Sequence, residues 1–93
     1  SMDRPGEHGF GVAAVMPNWN GGELAARSAA SVLAQDIRPV LWVVDNASSD
    51  GSLERILTLP EADRVRVIRN PENYGYARAN NQALADLTTD YVL

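Results

Sequence analysis

The chain has 93 residues, which is enough for one domain with a modest core. Hydrophobic residues make up 45% and charged residues 22% of the chain, values that argue against a disordered or fibrous class. The net charge of -4 argues against a nucleic-acid partner, and the absence of cysteine excludes disulfides, thiolate nucleophiles and cysteine-held metals.

Residues 1–11 are predicted to form a flexible N-terminal segment. It begins with Ser1 and Met2, which look like an expression remnant, and it contains the only histidine, His8. We expect no catalytic role for a histidine in such a lead-in. No apolar run has the length of a membrane span or the pattern of a signal peptide, which predicts a soluble, cytoplasmic protein.

The first predicted strand and helix follow this segment. Residues 12–16 (VAAVM) are a continuous apolar run before Pro17, typical of a strand buried on both faces of a sheet. Beyond it, small and apolar residues recur at helical intervals and predict one buried helix face: Leu24, Ala25, Ser28, Ala29, Val32 and Leu33. Glu23 and Arg27 are spaced as an ion pair on the opposite face.

The second strand is predicted at residues 40–44, with Trp42 in the core. An acidic, hydroxyl-rich turn follows it, and a short helix is predicted at Ser52–Leu57. Asp50 is placed to cap that helix, and Glu54 lies in its first turn, where the helix dipole favours a negative charge.

The remaining pattern predicts one more helix between two strands. Residues 65–68 begin with polar and apolar residues in alternation, as in a strand near the sheet edge. A helix is predicted at residues 76–87, burying Ala79, Ala83, Leu84 and Leu87, and residues 91–93 begin a fourth strand. This alternation predicts an α/β fold, a Rossmann-like three-layer parallel sheet with helices on both faces.

Polar residues concentrate in the three loops that follow the first three strands. In a parallel sheet these loops share one side, and ligands of α/β proteins bind in the crevice there. The sequence therefore predicts a nucleotide site at this rim.

Asp45 ends the second strand and is the first candidate for a ligand contact. A carboxylate fixed there can accept the ring N–H of an imide base such as uracil or thymine, and it disfavours bases without that donor. The same residue can instead cap the backbone amides of its own turn. The pattern favours neither interpretation, whereas for Asp50 capping is the expected role.

The first loop offers a rigid edge and an aromatic ring. Pro17 fixes the backbone, so its own carbonyl and the amides beyond it, from Asn18 onward, can present a rigid edge to a base. Trp19 is available to stack on a base or to form a wall of the pocket, and its alternative is simple packing under the first helix.

The third loop offers groups that suit a phosphate. Asn73, Gly75 and Arg78 place an amide, a flexible backbone position and a cation near a helix N-terminus. Arg78 either neutralises a diphosphate or lies on a solvated helix face. Asn80 and Asn81 are poor helix formers, and at least one is expected to hydrogen-bond into the pocket or to the first loop.

In chain order, these segments resemble the nucleotide-binding half of glycosyltransferase family 2, inverting transferases with a GT-A fold. The matching segments are PNWN after the first strand, SVLAQ in the first helix, VDNASSDGS after the second strand and VRVIRNPENYG around the third. The resemblance covers residues 12–93. The NASS and WNG segments look most like those of rhamnosyltransferase-like members.

The resemblance implies a set of nucleotide-binding residues: Pro17, Asn18, Trp19, Asp45, Asn46, Asn73, Gly75 and Arg78. It implies that Asp45 reads the base and that the first loop lines the base and ribose. Asn46 stands where a second aspartate is commoner in the family. No catalytic and no metal-binding residue is assigned in this chain.

By the same resemblance, an Asp-x-Asp metal motif and an acidic catalytic base lie past Leu93. Residues 12–93 are thus expected to be a truncated GT-A nucleotide-sugar-binding domain, inactive alone, of a parent enzyme that uses Mg²⁺ or Mn²⁺. The implied donor is a uridine or thymidine diphosphate sugar, and the acceptor is a glycan or lipid hydroxyl, as in cell-wall or polysaccharide biosynthesis.

Two other functions are compatible with the pattern. The chain is alternatively a non-catalytic nucleotide-binding or interaction α/β module, or a structural piece without a ligand.

In the family's sheet order the fourth strand lies beside the first, and an exposed edge there predicts a homodimer or strand exchange.

Overall fold

The chain folds as alternating strands and helices. A computed structural model describes residues 11–86 and 91–92. In chain order the elements are β1 (Gly11–Asn18), α1 (Gly22–Leu33), β2 (Val40–Asn46), α2 (Ser52–Leu57), a 3₁₀ turn (Ala62–Arg64), β3 (Val65–Asn70), α3 (Tyr76–Asp86) and β4 (Tyr91–Val92).

The four strands form one parallel sheet in the order β3-β2-β1-β4. Two register pairs lie at the carboxyl ends of the central strands. Asn18 of β1 is opposite Asp45 of β2, and Asn46 of β2 is opposite Asn70 of β3. β3 lies at the edge, as its alternating pattern predicts, and β4 pairs with the start of β1.

Helices cover both faces of the sheet, so the predicted three-layer α/β fold is confirmed. On one face, α1 and α2 pack over β2 and β3 in a cluster of buried residues: Ala25, Ala29, Leu33, Leu41, Val43, Leu53, Ile56 and Val65. On the other face, α3 packs Ala79 and Ala83 against Val44. Trp42, predicted in the core, is half-buried beside that second cluster.

Two leucines predicted in the core are exposed. Leu24 is 71% and Leu84 is 48% exposed. The buried stripe of each helix is narrower than its apolar pattern, because α1 and α3 contact the sheet mainly through alanines four residues apart. Ser28 is exposed for the same reason, and Leu87 lies outside the described residues.

Arg64 joins the two ends of the α1–β2 connection. Its guanidinium donates hydrogen bonds to the carbonyl oxygens of Leu33, the last residue of α1, and of Pro39, just before β2. The bond to Leu33 satisfies a carbonyl that the end of α1 leaves without an intrahelical partner. Within residues 11–86, no helix combines the length and apolar character that crossing a membrane requires.

Candidate functional site

The first rim loop (residues 17–22) and the second rim loop (residues 45–51) are held together by side-chain hydrogen bonds. Asn18, only 3% exposed, donates from Nδ2 to Asp45 Oδ1 and to Ser52 Oγ, each at 2.9 Å. Its Oδ1 accepts from the Gly21 backbone N–H at 3.2 Å. The Asn18 amide therefore joins the ends of β1 and β2 to the start of α2.

More hydrogen bonds extend this contact toward the solvent. The Asn20 backbone N–H donates to Ser48 Oγ at 2.9 Å, and Asn20 Oδ1 accepts from the Ser49 N–H at 2.7 Å. We call the contact between these two loops the junction. Its bonds run in both directions between the loops, so it fixes their separation and orientation.

Asp50 binds the start of two helices at the outer edge of the junction. Its Oδ1 accepts from the backbone N–H of Ser52 and its Oδ2 from that of Gly22, both at 2.9 Å. The capping role predicted for Asp50 is thus confirmed. Hydrogen bonds from the Ser52 hydroxyl and backbone, with that from Gly22, lower the pKa of Asp50 below its ordinary value of 3.8.

A cavity of about 130 Å³ lies between the first rim loop and the third rim loop (residues 70–76). It is lined by Pro17, Asn18, Trp19, Asn46, Asn73, Gly75 and Tyr76. Six of the eight predicted nucleotide-binding residues are in this set. Trp19 is 59% exposed, so the alternative in which it packs under α1 is wrong.

Asp45, the first candidate, lies outside that lining. It is 4% exposed, and its Oδ2 accepts from the Ser48 N–H at 3.0 Å while Oδ1 accepts from Asn18. The turn-capping interpretation is therefore confirmed. A carboxylate has about four lone-pair positions, so these two bonds leave acceptor capacity, and base reading by Asp45 stays a prediction.

Arg78 also lies outside the cavity lining. Its guanidinium carbon is 3.7 Å from the centre of the Tyr74 ring, a cation–π geometry. The side chain is exposed on the first turn of α3. In this arrangement Arg78 contacts its own loop through the face of the guanidinium, which leaves its in-plane N–H groups free to donate.

Behind the cavity, three carboxamides form a hydrogen-bonded network that we call the amide network. Asn70 Nδ2 donates to Asn46 Oδ1 and to Gln82 Oε1, and Gln82 Nε2 donates back to Asn70 Oδ1; each distance is 2.8 Å. Asn46 is 2% and Asn70 is 7% exposed. The network joins the ends of β2 and β3 to α3.

Sequence reasoning placed the polar contact of α3 on the wrong residues. Asn80 and Asn81 are exposed, and neither has a side-chain hydrogen bond to the described residues. Gln82 makes the contact instead. It lies three residues after Ala79 and one before Ala83, on the buried face of the helix, so the helical period was a signal for it.

Tyr76 is the other residue that sequence reasoning missed. It lines the cavity and is 75% exposed, beside the left-handed Gly75 with a φ of +82°. Trp19 was selected because it is an aromatic residue in the loop after a strand. The same criterion, applied to the loop after β3, identifies Tyr76.

The resemblance implies that the metal motif lies past Leu93, and the residues that the structure describes do not themselves fit a divalent metal. Within residues 11–86 and 91–92 there is no group of three or more histidine, aspartate or glutamate side chains that could hold a metal ion. The cavity lining contains three carboxamide side chains and no carboxylate. No metal ligand is therefore assigned among these residues.

Comparison with known proteins identifies relatives of this chain. Residues 13–93 match the family model described as Glycosyl transferase family 2. The putative colanic acid biosynthesis glycosyl transferase WcaA of Escherichia coli (strain K12) is 31% identical over 83 residues, which are 87% of this chain and 30% of that protein.

A solved structure has the same fold. It is the mannosyltransferase PcManGT from Pyrobaculum calidifontis in complex with GDP-Man and Mn²⁺, with a TM-score of 0.72 and 24% sequence identity. The match covers 95% of this chain and 27% of that one. The chain thus spans less than a third of the length of either protein.

Proposed function

Because the chain belongs to glycosyl transferase family 2, we propose that it binds the nucleotide of a nucleoside diphosphate sugar. The observation that carries this proposal is the cavity at the carboxyl ends of the strands, where six of the predicted nucleotide-binding residues meet. Open α/β sheets bind ligands at this rim. The two exposed aromatic side chains in its lining, Trp19 and Tyr76, suit the flat face of a base.

The size of the cavity limits which part of the donor it holds. Pockets for complete small-molecule ligands are about 300–1,000 Å³, whereas this one is about 130 Å³. We therefore assign the cavity to the base alone. The ribose and diphosphate then lie outside it, toward the first turn of α3, where the N–H groups of Arg78 can pair with a phosphate.

The reaction belongs to the whole protein. We propose inverting transfer of the sugar by direct displacement at the anomeric carbon, from a uridine or thymidine diphosphate donor to a hydroxyl of a glycan or lipid. WcaA, the colanic acid relative, supports a polysaccharide product. Guanosine is the second candidate base, because the structural neighbour binds GDP-Man.

The finer assignments concern the parent enzyme. The NASS segment at residues 46–49 supports a rhamnosyltransferase-like parent. We propose Mg²⁺ or Mn²⁺ as the donor metal of that parent, and the neighbour's Mn²⁺ supports it. When bound, such an ion would neutralise the diphosphate leaving group. The 93-residue chain itself is expected to bind nucleotide without transferring sugar.

Isothermal titration calorimetry on the 93-residue chain tests the proposal. We expect uridine, thymidine or guanosine diphosphate to bind, and Trp19→Ala to weaken the binding about fivefold or more, since stacking of a base on an aromatic ring is worth about 1–3 kcal/mol. Trp42→Phe is the matched control, because Trp42 does not line the cavity. No binding of any diphosphate, or equal binding by Trp19→Ala, would contradict the proposal.

A further inference from the structure

The two neighbouring polar residues at the end of β2 face opposite sides of the sheet. Side chains alternate along a strand, so Asp45 lies on the same face as Val43, which packs with α1 and α2. Asn46 lies on the same face as Val44, which packs with α3. Asn46 is the member of this pair that lines the cavity.

The amide network fixes how Asn46 is presented. Its Oδ1 accepts from Asn70, whose carboxamide is held at both ends by Gln82. The Asn46 Nδ2 has no acceptor among residues 11–86. Because Asn46 lines the cavity and its Oδ1 is already occupied by Asn70, the N–H groups are the part of this amide left for a ligand, and a ligand that supplies an acceptor there gains a hydrogen bond.

We propose that Asn46 selects bases with a carbonyl oxygen at the recognised edge, and that Asn70 and Gln82 are positioning residues that turn its amide N–H groups toward the cavity. This inference rests on the proposed function of the cavity. Uracil, thymine and guanine carry such a carbonyl, whereas cytosine and adenine carry an amino group in its place. An amino group would place N–H against N–H and lose the hydrogen bond.

The variant Asn46→Asp tests the hydrogen-bond direction at nearly constant shape. A carboxylate still accepts from Asn70, but it presents only an acceptor to the ligand. Binding is measured by calorimetry for two matched pairs, uridine with cytidine diphosphate and guanosine with adenosine diphosphate. In the pyrimidine or purine pair that the chain binds, the ratio of affinities for the carbonyl base over the amino base should fall about tenfold or more in Asn46→Asp.

The variant Gln82→Met separates positioning from structural support. It keeps the length of the side chain and removes both hydrogen bonds to Asn70. We expect the carbonyl-over-amino preference to fall several-fold, because Asn46 loses its fixed orientation. Asn81→Met on the exposed side of the same helix is the control and should keep the preference of the unaltered chain.

The outcomes distinguish the two proposals. A purely structural role for Gln82 predicts that both members of a base pair weaken equally, so an unchanged preference in Asn46→Asp and Gln82→Met overturns this inference alone. A failure of the unaltered chain to bind any of the four diphosphates overturns the proposed function and this inference with it. Thermal unfolding of each variant shows whether it is folded, and a Gln82→Ala variant replaces Gln82→Met if that protein does not fold.

Discussion

The two register pairs at the ends of the central strands use similar residues in different ways. Asn18 and Asp45 bind each other on the face covered by α1 and α2, where Ser48 and Ser52 complete their hydrogen bonds. Asn46 and Asn70 bind each other on the face covered by α3, and Asn46 borders the cavity. The first pair holds the loops together, with Asn18 also bordering the cavity, while we propose that Asn46 of the second pair presents a group to a ligand.

The face of the sheet to which a strand-end side chain points decides the role of that residue. Asp45 and Asn46 are adjacent in sequence and nearly equal in burial, at 4% and 2% exposed. Their separation into a junction residue and a cavity residue follows from the two-residue period of a strand. Substitutions at the junction should therefore change stability, and substitutions at the cavity should change nucleotide binding.

The largest expected effect is on stability, from Asn18→Ala. It removes the donor to Asp45 Oδ1 and leaves a buried carboxylate partly unpaired. We expect the free energy of unfolding to fall by about 3 kcal/mol, measured by urea denaturation of the 93-residue chain. Asn81→Ala, at an exposed position of α3, is the control. A loss no larger than that of the control would mean that the junction does not hold the loops together.

A smaller effect, on binding alone, is expected from Tyr76→Ala. The side chain is 75% exposed and lines the cavity, so its removal should leave stability nearly unchanged. The affinity for the bound nucleoside diphosphate should fall by about 1–2 kcal/mol in calorimetry. Leu24→Ala is the control, because Leu24 is 71% exposed on α1 and does not line the cavity. An equal loss of affinity in both variants would remove Tyr76 from the site.

The smallest expected effect is the pH dependence that Asp50 gives to the junction. Its pKa in the folded chain is below the ordinary value of 3.8, so the unfolded chain binds the proton more readily. The stabilisation is fully present above pH 3.8 and is lost as the pH falls through the lower, folded pKa. Urea midpoints at a series of acid pH values should show a shallower fall for Asp50→Asn than for the unaltered chain. Identical slopes would show that the two helix ends do not depend on the Asp50 charge.

Most of the fold was predictable because its signals are local. The apolar runs of the strands and the proline and glycine residues between them mark each element, and α2 has the predicted bounds. The exposure of Leu24 and Leu84 was not predictable from periodicity, because an apolar face does not reveal how much of it the sheet covers. The alanine contacts of α1 and α3 with the sheet decide how wide a strip of each helix is buried.

The rim site was predictable as a set of loops but not as a set of side-chain directions. Pro17, Trp19 and Asn73 meet at the cavity because strand ends converge on one side of a parallel sheet. Because Asp45 and Asn46 are neighbours at the end of a predicted strand, the sequence already indicated that their side chains point to opposite faces of the sheet. Both faces of a central parallel strand are apolar, however, so the pattern did not indicate which face holds the cavity.

The most direct test of the account uses the two tryptophan side chains as paired reporters. Trp19 lines the cavity, whereas Trp42 packs on the α3 face of the sheet and does not line the cavity. In ¹H–¹⁵N spectra of the labelled chain, titration with uridine or guanosine diphosphate should shift the indole N–H signal of Trp19 and leave that of Trp42 in place. A nucleotide that binds without moving the Trp19 signal would contradict the assignment of this cavity to the base.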